Sequence, residues 1–384
     1  TLILSLIIGS TFIFKKKDGI KISIFNKIFV VILGYLILPL IISIPYYLSL
    51  YNISFLNCYF ESISGFTSTG FTIFDNVRNL DQSLILWRST SQWIGGLYFL
   101  FSIILLIEVF DNNLKNSLTD FLSFNTSETL KQSFKVLILY SFLTFIIFVV
   151  FKLVDLRTFD AFNFSLTVIS SGGFLPVDNL VSVLNSDLKK NIFSFTMIIS
   201  FFSIFLSYNL FFVKNKNLNV FSEDFYLLIY FIFLLLLFFI FFNSENNFVP
   251  LFFSITSSIS NIGISIDKDQ SELYFIFLIL VIIGGSFFST SSGIRFLKIF
   301  SLIKYSFNEL LSHSKPKYIL ISKITFNEKK IDQSDINKYF LSVIIFIISL
   351  LLICFLLTIA NNDIVESFKL GILTIMNTVN SNIY

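Results

Sequence analysis

Three stretches of this sequence carry residues whose types and spacing suit chemistry: "SGFTSTGFTIFDN" around Gly70, "TVISSGGFLPVDN" around Gly173 and "SSISNIGISIDKD" around Gly263. In the first two, an Asp and an Asn follow the glycine, starting with Asp75 or Asp178 five residues on; in the third, Asp267 follows at four. None holds a His or a Cys, and the first holds no carboxylate pair, so acid–base and metal-cluster chemistry are poorly served. What they offer is hydroxyls, a glycine that accepts φ > 0 and bare main-chain oxygens. Rings of such oxygens replace the hydration shell of K⁺.

The elements that position these turns are apolar. Of 384 residues 55% are hydrophobic, 13% are charged and 53 are Phe, and mean hydropathy is +0.84. Runs of roughly 20 apolar residues are membrane-span candidates, so the chain reads as an all-α, polytopic membrane protein. Apolar stretches fall at 1–14, 28–50, 84–109, 134–154, 191–213, 225–243, 272–304 and 339–360. Cys58 and Cys354 make neither a disulfide framework nor a metal-ligand spacing and read as apolar fillers. An intramembrane enzyme would show paired acids or a His near an interface. Here the acids are scattered and the single His313 lies in a charged loop.

Aligning the glycine turns exposes an internal repeat: long helix, short segment, polar turn, long helix. The expected units are the tail of an extra helix at 1–14, a first repeat at 24–110, a second at 130–214 and a third at 222–306. A cytoplasmic loop at 307–337 and an incomplete fourth repeat at 338–384 follow. The fourth, "ESFKLGILTIMNTVNSNIY", is expected to lack its closing helix through a truncated frame. The beginning is likewise expected to be missing, since Thr1 opens inside an apolar run. With the turns outward, the segments 15–27, 110–135, 214–224 and 298–338 hold 18 of the 27 Lys and Arg, and the outer segments hold eight. That bias puts the turns on the extracytoplasmic side. Membrane lipid is the surrounding medium, and nothing points to nucleic acid or a bound cofactor.

Segments too short to cross must enter and leave by one face, and irregular backbone at membrane depth survives only when buried or lining a watery path. Four around one axis would form a cation filter. Ser68, Thr69, Ser170 and Ser171 would brace the backbone. Asp75, Asp178 and Asp267 at the outer mouth would concentrate cations. A further break, "GGSFFSTSSG" at 284–293, interrupts a stretch too long for one span. Gly284, Gly285 and Gly293 weaken the helix there, and Ser286, Ser289, Thr290, Ser291 and Ser292 can satisfy the freed backbone. Arg295 would cost about 2.5–3.5 kcal/mol at mid-membrane. It is expected either to pair with carbonyls of this loop or to snorkel to the inner surface.

Residues 15–49, "KKKDGIKISIFNKIFVVILGYLILPLIISIPYYLS", then "YFESISGFTSTGFTIF" and "LILWRSTSQWIGGLYFLFSIILLI" closely resemble the bacterial Trk-type potassium uptake subunit of the Trk/Ktr/HKT superfamily. The resemblance runs from about Lys15 to Tyr384. It implies four helix–re-entrant segment–helix repeats around a central ion path and K⁺ uptake across the cytoplasmic (inner) membrane. The implied filter is Ser68, Thr69 and Gly70; Ser171, Gly172 and Gly173; Asn261, Ile262 and Gly263; and Thr378, Val379 and Asn380, with Asn380 where a fourth glycine is expected. The resemblance also makes 284–293 and Arg295 a movable gate. It implies a homodimer and a cytosolic nucleotide-binding regulatory subunit, for which the Lys-rich loop 298–338 is a candidate contact. Gly70 favours K⁺ over Na⁺, since relatives with Ser there tend to carry Na⁺. The alternatives are a non-conducting remnant and a Na⁺-permeable member of the superfamily. Trp87, Arg88 and Gln92–Gly96 match the start of the first closing helix and read as an interface anchor with tight packing at Gly95 and Gly96.

Overall fold

The computed structural model describes residues 23–110, 129–204, 222–242, 248–266, 273–314, 325–326, 329–330 and 333–379. The expected helix tail at 1–14, Asp267 and Asn380 lie outside them. Helices dominate: α1 Ile24–Ser49, α2 Phe55–Phe66, α3 Gln82–Phe110, α4 Thr129–Leu153, α5 Thr158–Ile169 and α6 Asp187–Phe201. They continue with α7 Ser222–Phe242, α8 Phe248–Ile259, α9 Tyr274–Ile283, α10 Phe296–Ser314, α11 Gln333–Ile359 and α12 Ile364–Ile375. The β structure among the described residues is one antiparallel ladder, in which Thr325 pairs with Lys330 and Phe326 with Lys329.

Among the described residues five helices are long and apolar enough to cross a membrane: α1, α3, α4, α7 and α11. Large apolar side chains such as Phe233, Ile240, Leu351 and Phe355 lie exposed along them. Such surface is tolerable in hydrocarbon and costly in water, so the chain is an integral membrane protein. Local sequence sets the helix starts. Ser23, Ser54 and Ser186 each accept a hydrogen bond from the backbone N–H three residues on, satisfying an orphan donor of the first turn.

Four of the helices, α2, α5, α8 and α12, are 12 residues long, and each follows a long apolar helix. At 1.5 Å per residue they reach about 18 Å, too short to span. α3 packs on both α2 and α5, α6 on both α5 and α8, and α9 on both α8 and α12. Each helix that follows a turn therefore leans on the short helix before it and on the next one. Three apolar clusters hold this arrangement, around Phe164 and Phe193, around Phe252 and Phe277, and around Tyr46 and Phe66.

The expected break in the 272–304 stretch is present, since residues 284–295 run non-helically between α9 and α10. The apolar stretch at 191–213 is interrupted: α6 stops at Phe201, Ile204 is again helical, and residues 205–213 lie outside those described. Phe202 turns extended, at φ −81° and ψ 163°, because the backbone of 200–204 bonds to that non-helical loop. Phe201 O accepts from Ser286 N at 3.0 Å and Ile204 N donates to Phe288 O at 3.2 Å.

Candidate ion-conducting site

The four short helices end identically. Two residues past each lies a non-glycine residue in the left-handed region: Ser68 at φ 57°, Ser171 at 53°, Asn261 at 57° and Asn377 at 47°. The N–H of the following residue reaches back five positions, from Thr69 to Ser64 O (2.9 Å), Gly172 to Thr167 O (2.8 Å), Ile262 to Ser257 O (3.1 Å) and Thr378 to Leu373 O (3.0 Å). Shorter bonds, such as Ser68 N to Gly65 O at 2.9 Å, complete a Schellman closure. A non-glycine residue held in the left-handed region costs of order 1–3 kcal/mol. Its recurrence at four equivalent places marks a conformation the fold enforces.

The next position along is Gly70, Gly173, Gly263 and Val379. This corrects the expected register of the fourth turn. Counted from the helix end and its left-handed residue, the glycine-equivalent residue is Val379, one before Asn380. Gly70 (φ 91°) and Gly263 (φ 77°) use glycine's conformational freedom. Gly173 has a different reason, close approach: a Cβ there would sit 3.2 Å from both Gly70 Cα and Ile262 O. A Cβ on Gly263 would strike Val379 O, and Thr69 Oγ1 donates to Asn377 Oδ1 at 3.4 Å. Turn one thus meets turn two, two meets three, three meets four, and four meets one. Ser68 Oγ, Asn261 Oδ1 and Thr378 Oγ1 are buried here without a hydrogen-bond partner among the described residues.

Side chains of α3 brace the first two turns, a role the sequence reading missed. Arg88 Nε donates to Glu61 Oε1 at 2.8 Å, with both side chains buried. Glu61 also accepts from Ile73 N at 2.9 Å and Thr72 Oγ1 at 3.1 Å, and Arg88 Nη2 donates to Thr72 Oγ1 at 2.9 Å. The guanidinium lies 4.2 Å from the centroid of Phe174, in the second turn. The Gln92 amide, with its oxygen toward the backbone, accepts from Gly173 N (3.1 Å) and Phe174 N (2.9 Å) and donates to Thr167 Oγ1 (3.3 Å). The signal was available. A Glu and an Arg in otherwise apolar or small-residue segments at membrane depth need each other. The tight packing expected at Gly95 and Gly96 is present, against the Phe66 carbonyl and against Tyr140 and Ser170.

The 284–295 loop touches the ring. Gly284 (φ 70°) and Gly293 (φ 100°) pinch its ends together, and a Cβ on Gly284 would lie 2.8 Å from Gly293 Cα. Thr290 Oγ1 donates to Ile169 O at 2.8 Å and lies 3.2 Å from Ser171 Oγ, at the second turn. Ser292 Oγ donates to Met376 O, at the fourth. Ser291 N bonds Ser200 O, and its hydroxyl accepts from Gly285 N at 3.0 Å. Of the two expectations for Arg295, carbonyl pairing holds. It is buried, and Nη1 donates to Ser286 O (2.9 Å), Ser291 O (2.7 Å) and Ser289 Oγ (3.1 Å). A cavity of about 390 Å³ lies beside the loop, bounded by Met376 and Asn377, by Ser292, Gly293 and Arg295, and by Ser349 of α11.

At the other end, Asp75 is exposed. Asp178 accepts from Val77 N at 2.6 Å and lies 3.8 Å from Arg78 Nε. It therefore ties the second turn to the segment following the first, and part of its charge is answered by Arg78.

A polytopic membrane protein with four such helix ends is the class that fold and geometry define, and comparison with known proteins narrows it. No family model matches the chain. It is 25% identical over 320 residues to an uncharacterized cation transporter of Methanocaldococcus jannaschii, covering 79% of this chain and 63% of that protein. It is 24% identical over 342 residues to the Trk system potassium uptake protein TrkG of Escherichia coli, covering 81% of this chain and 68% of that one. The chain thus spans about two thirds of the length of these relatives. In fold it matches the crystal structure of the potassium transporter TrkH from Vibrio parahaemolyticus with a TM-score of 0.81, at 20% identity, over 95% of this chain and 78% of that chain. The resemblance to Trk-type proteins read from the sequence therefore holds in both sequence and fold, and the relatives it matches are transporters.

Proposed function

We propose that the chain conducts K⁺ into the cell across the cytoplasmic membrane, through a filter formed by its four turns and controlled by the 284–295 loop. On this reading each unit is a long helix, a re-entrant short helix and a filter turn, arranged around one central path with the turns facing outward. The observation that carries it is the closed circuit of turns, each with the same left-handed residue and the same five-residue back-bond. Four helix C-termini converge on that circuit. Each contributes a partial negative charge at its end, and carbonyl oxygens there replace an ion's water. The buried, unpartnered Ser68 Oγ, Asn261 Oδ1 and Thr378 Oγ1 fit a path that holds ions or water, since buried polar atoms without a partner are rare in a finished core. The driving force is the membrane potential, about 2.3 kcal/mol per charge per 100 mV.

The gate reading is supported by the loop's bonds to the second and fourth turns and by Arg295 among its carbonyls. Homodimerisation and a cytosolic nucleotide-binding partner belong to the same proposal and rest on the resemblance. The test is Gly173→Asp in a K⁺-uptake-deficient strain. A Cβ there would already sit 3.2 Å from Gly70 Cα and Ile262 O, and the carboxylate beyond it adds bulk and charge at the ring, so Rb⁺ uptake is expected to vanish while the protein still inserts in the membrane. Undiminished uptake by an inserted variant rejects the filter.

A further inference from the structure

One peptide unit of the 284–295 loop is held from both sides. Its carbonyl, Ser286 O, accepts from Arg295 Nη1 at 2.9 Å. Its N–H, Phe287 N, donates to Glu223 Oε1 at 2.9 Å. Glu223 is the second residue of α7, remote in sequence and outside the glycine-rich run. Its neighbour Asp224 accepts from Ser203 N at 3.0 Å, on the extended backbone past α6, and Ile204 N in turn donates to Phe288 O. The first turn of α7 thus binds the loop directly and also binds the strand-like segment to which the loop is stitched.

We propose that Glu223 is the positioning residue that holds the 284–295 loop in place, with Arg295 holding the other end of the Ser286–Phe287 peptide. Three physical points favour a dedicated anchor. Among the described residues the Arg295 guanidinium donates to neutral oxygens alone, so its buried charge is favoured by a carboxyl group nearby, and Glu223, bonded to the same peptide unit, is placed to supply it. A carboxylate in the first turn of a helix is stabilised by the helix dipole, which keeps Glu223 in its place at the start of α7. Hydrogen bonds with one ionised partner, as between Arg295 and Ser286 O, are roughly twice as strong as neutral ones. A peptide held at both ends, by a guanidinium at its carbonyl and a carboxyl oxygen at its N–H, resists the rotation a moving loop requires. As a control on ion flow, the inference rests on the reading of the loop as a gate.

The test uses the full chain in lipid nanodiscs, with hydrogen–deuterium exchange followed on the peptide covering 284–293, and Rb⁺ flux measured in proteoliposomes. Glu223→Ala is expected to speed exchange of that peptide about tenfold, with α1–α5 unchanged, and to raise flux. Glu223→Gln keeps an acceptor for Phe287 N–H but replaces the carboxyl group by an amide, so it should fall between wild type and Ala. It also serves as the readout should the Ala variant fail to fold. Wild-type exchange in both variants overturns the role given to Glu223, whatever the flux. Faster exchange with unchanged flux supports Glu223 as the anchor and rejects the gate reading on its own.

Discussion

The first and fourth turns have the same backbone and different supports. Behind the first stands a buried Glu61–Arg88 pair whose Arg also reaches Thr72 and the Phe174 ring, with Gln92 one helical turn along doing the same for the second. All of these groups project from or onto α3, one continuous 29-residue helix. Among the described residues no buried charged side chain bonds the fourth turn. Outside its own Schellman closure it receives a hydroxyl from Thr69 and a hydroxyl from Ser292 of the loop. The first turn is thus fixed to a rigid helix, and the second to that helix and to the loop through Thr290. The fourth is fixed to the segment proposed to move without such a helix behind it, so displacement of that segment acts on turn four with the least resistance.

The sharpest way to break this contrast is Arg88→Ala. Removing one partner of a buried ion pair strands the other and costs about 3–5 kcal/mol, a large share of the 5–15 kcal/mol typical of whole domains. Thermal unfolding in detergent should show a loss of that size with uptake abolished. Because the two groups share one network, the Arg88→Ala, Glu61→Ala double variant should lose less than the sum of the single variants. Additive losses would mean that the pair does not act as a unit.

A smaller effect is expected at Val379. If the fourth turn is in register with the other three, Val379→Gly supplies the missing fourth glycine and should raise the Rb⁺ to Na⁺ flux ratio a few-fold in proteoliposomes. Asn380→Gly should leave the ratio near wild type. The reverse pattern would restore the alignment that puts Asn380 at the glycine position.

These two sites also show what was legible in the sequence. Apolar run lengths located the long helices, because a span must be about 20 residues long and apolar whatever it packs against. The Gly- and Ser-rich break at 284–293 was equally local and appears where expected. The positions of Gly70, Gly173 and Gly263 recurred with their flanking residues, so those turns could be aligned by inspection. The fourth lacks a glycine, and its register became visible only when the left-handed Asn377 and the back-bond from Thr378 fixed the count from the helix end. The supports were less legible, because they are long-range. Glu61 and Arg88 lie 27 residues apart, and Glu223 lies 64 from Phe287, distances over which no helical or strand periodicity links two residues. The early end of α6 has the same cause: its continuation is apolar, and the competing bonds come from residues more than eighty positions away.

The gentlest change tests the link itself. Ser292→Ala removes the hydroxyl bonded to Met376 O and little else, since the serine lies between Ser291 and Gly293, whose backbone bonds and pinched geometry do not depend on it. A single neutral hydrogen bond contributes about 0.5–1.5 kcal/mol, so global unfolding should shift by no more than that. The effect on turn four should be specific all the same. With that contact gone, the turn keeps its Schellman closure and the Thr69 bond but no longer senses the loop. In the Ser292→Ala background, Glu223→Ala should still speed exchange within 284–293, while exchange at Thr378 and Val379 should stop following it. If those amides continue to respond as they do with Ser292 present, the loop and the fourth turn communicate by another route. The first and fourth turns would then differ in strength of support and not in kind.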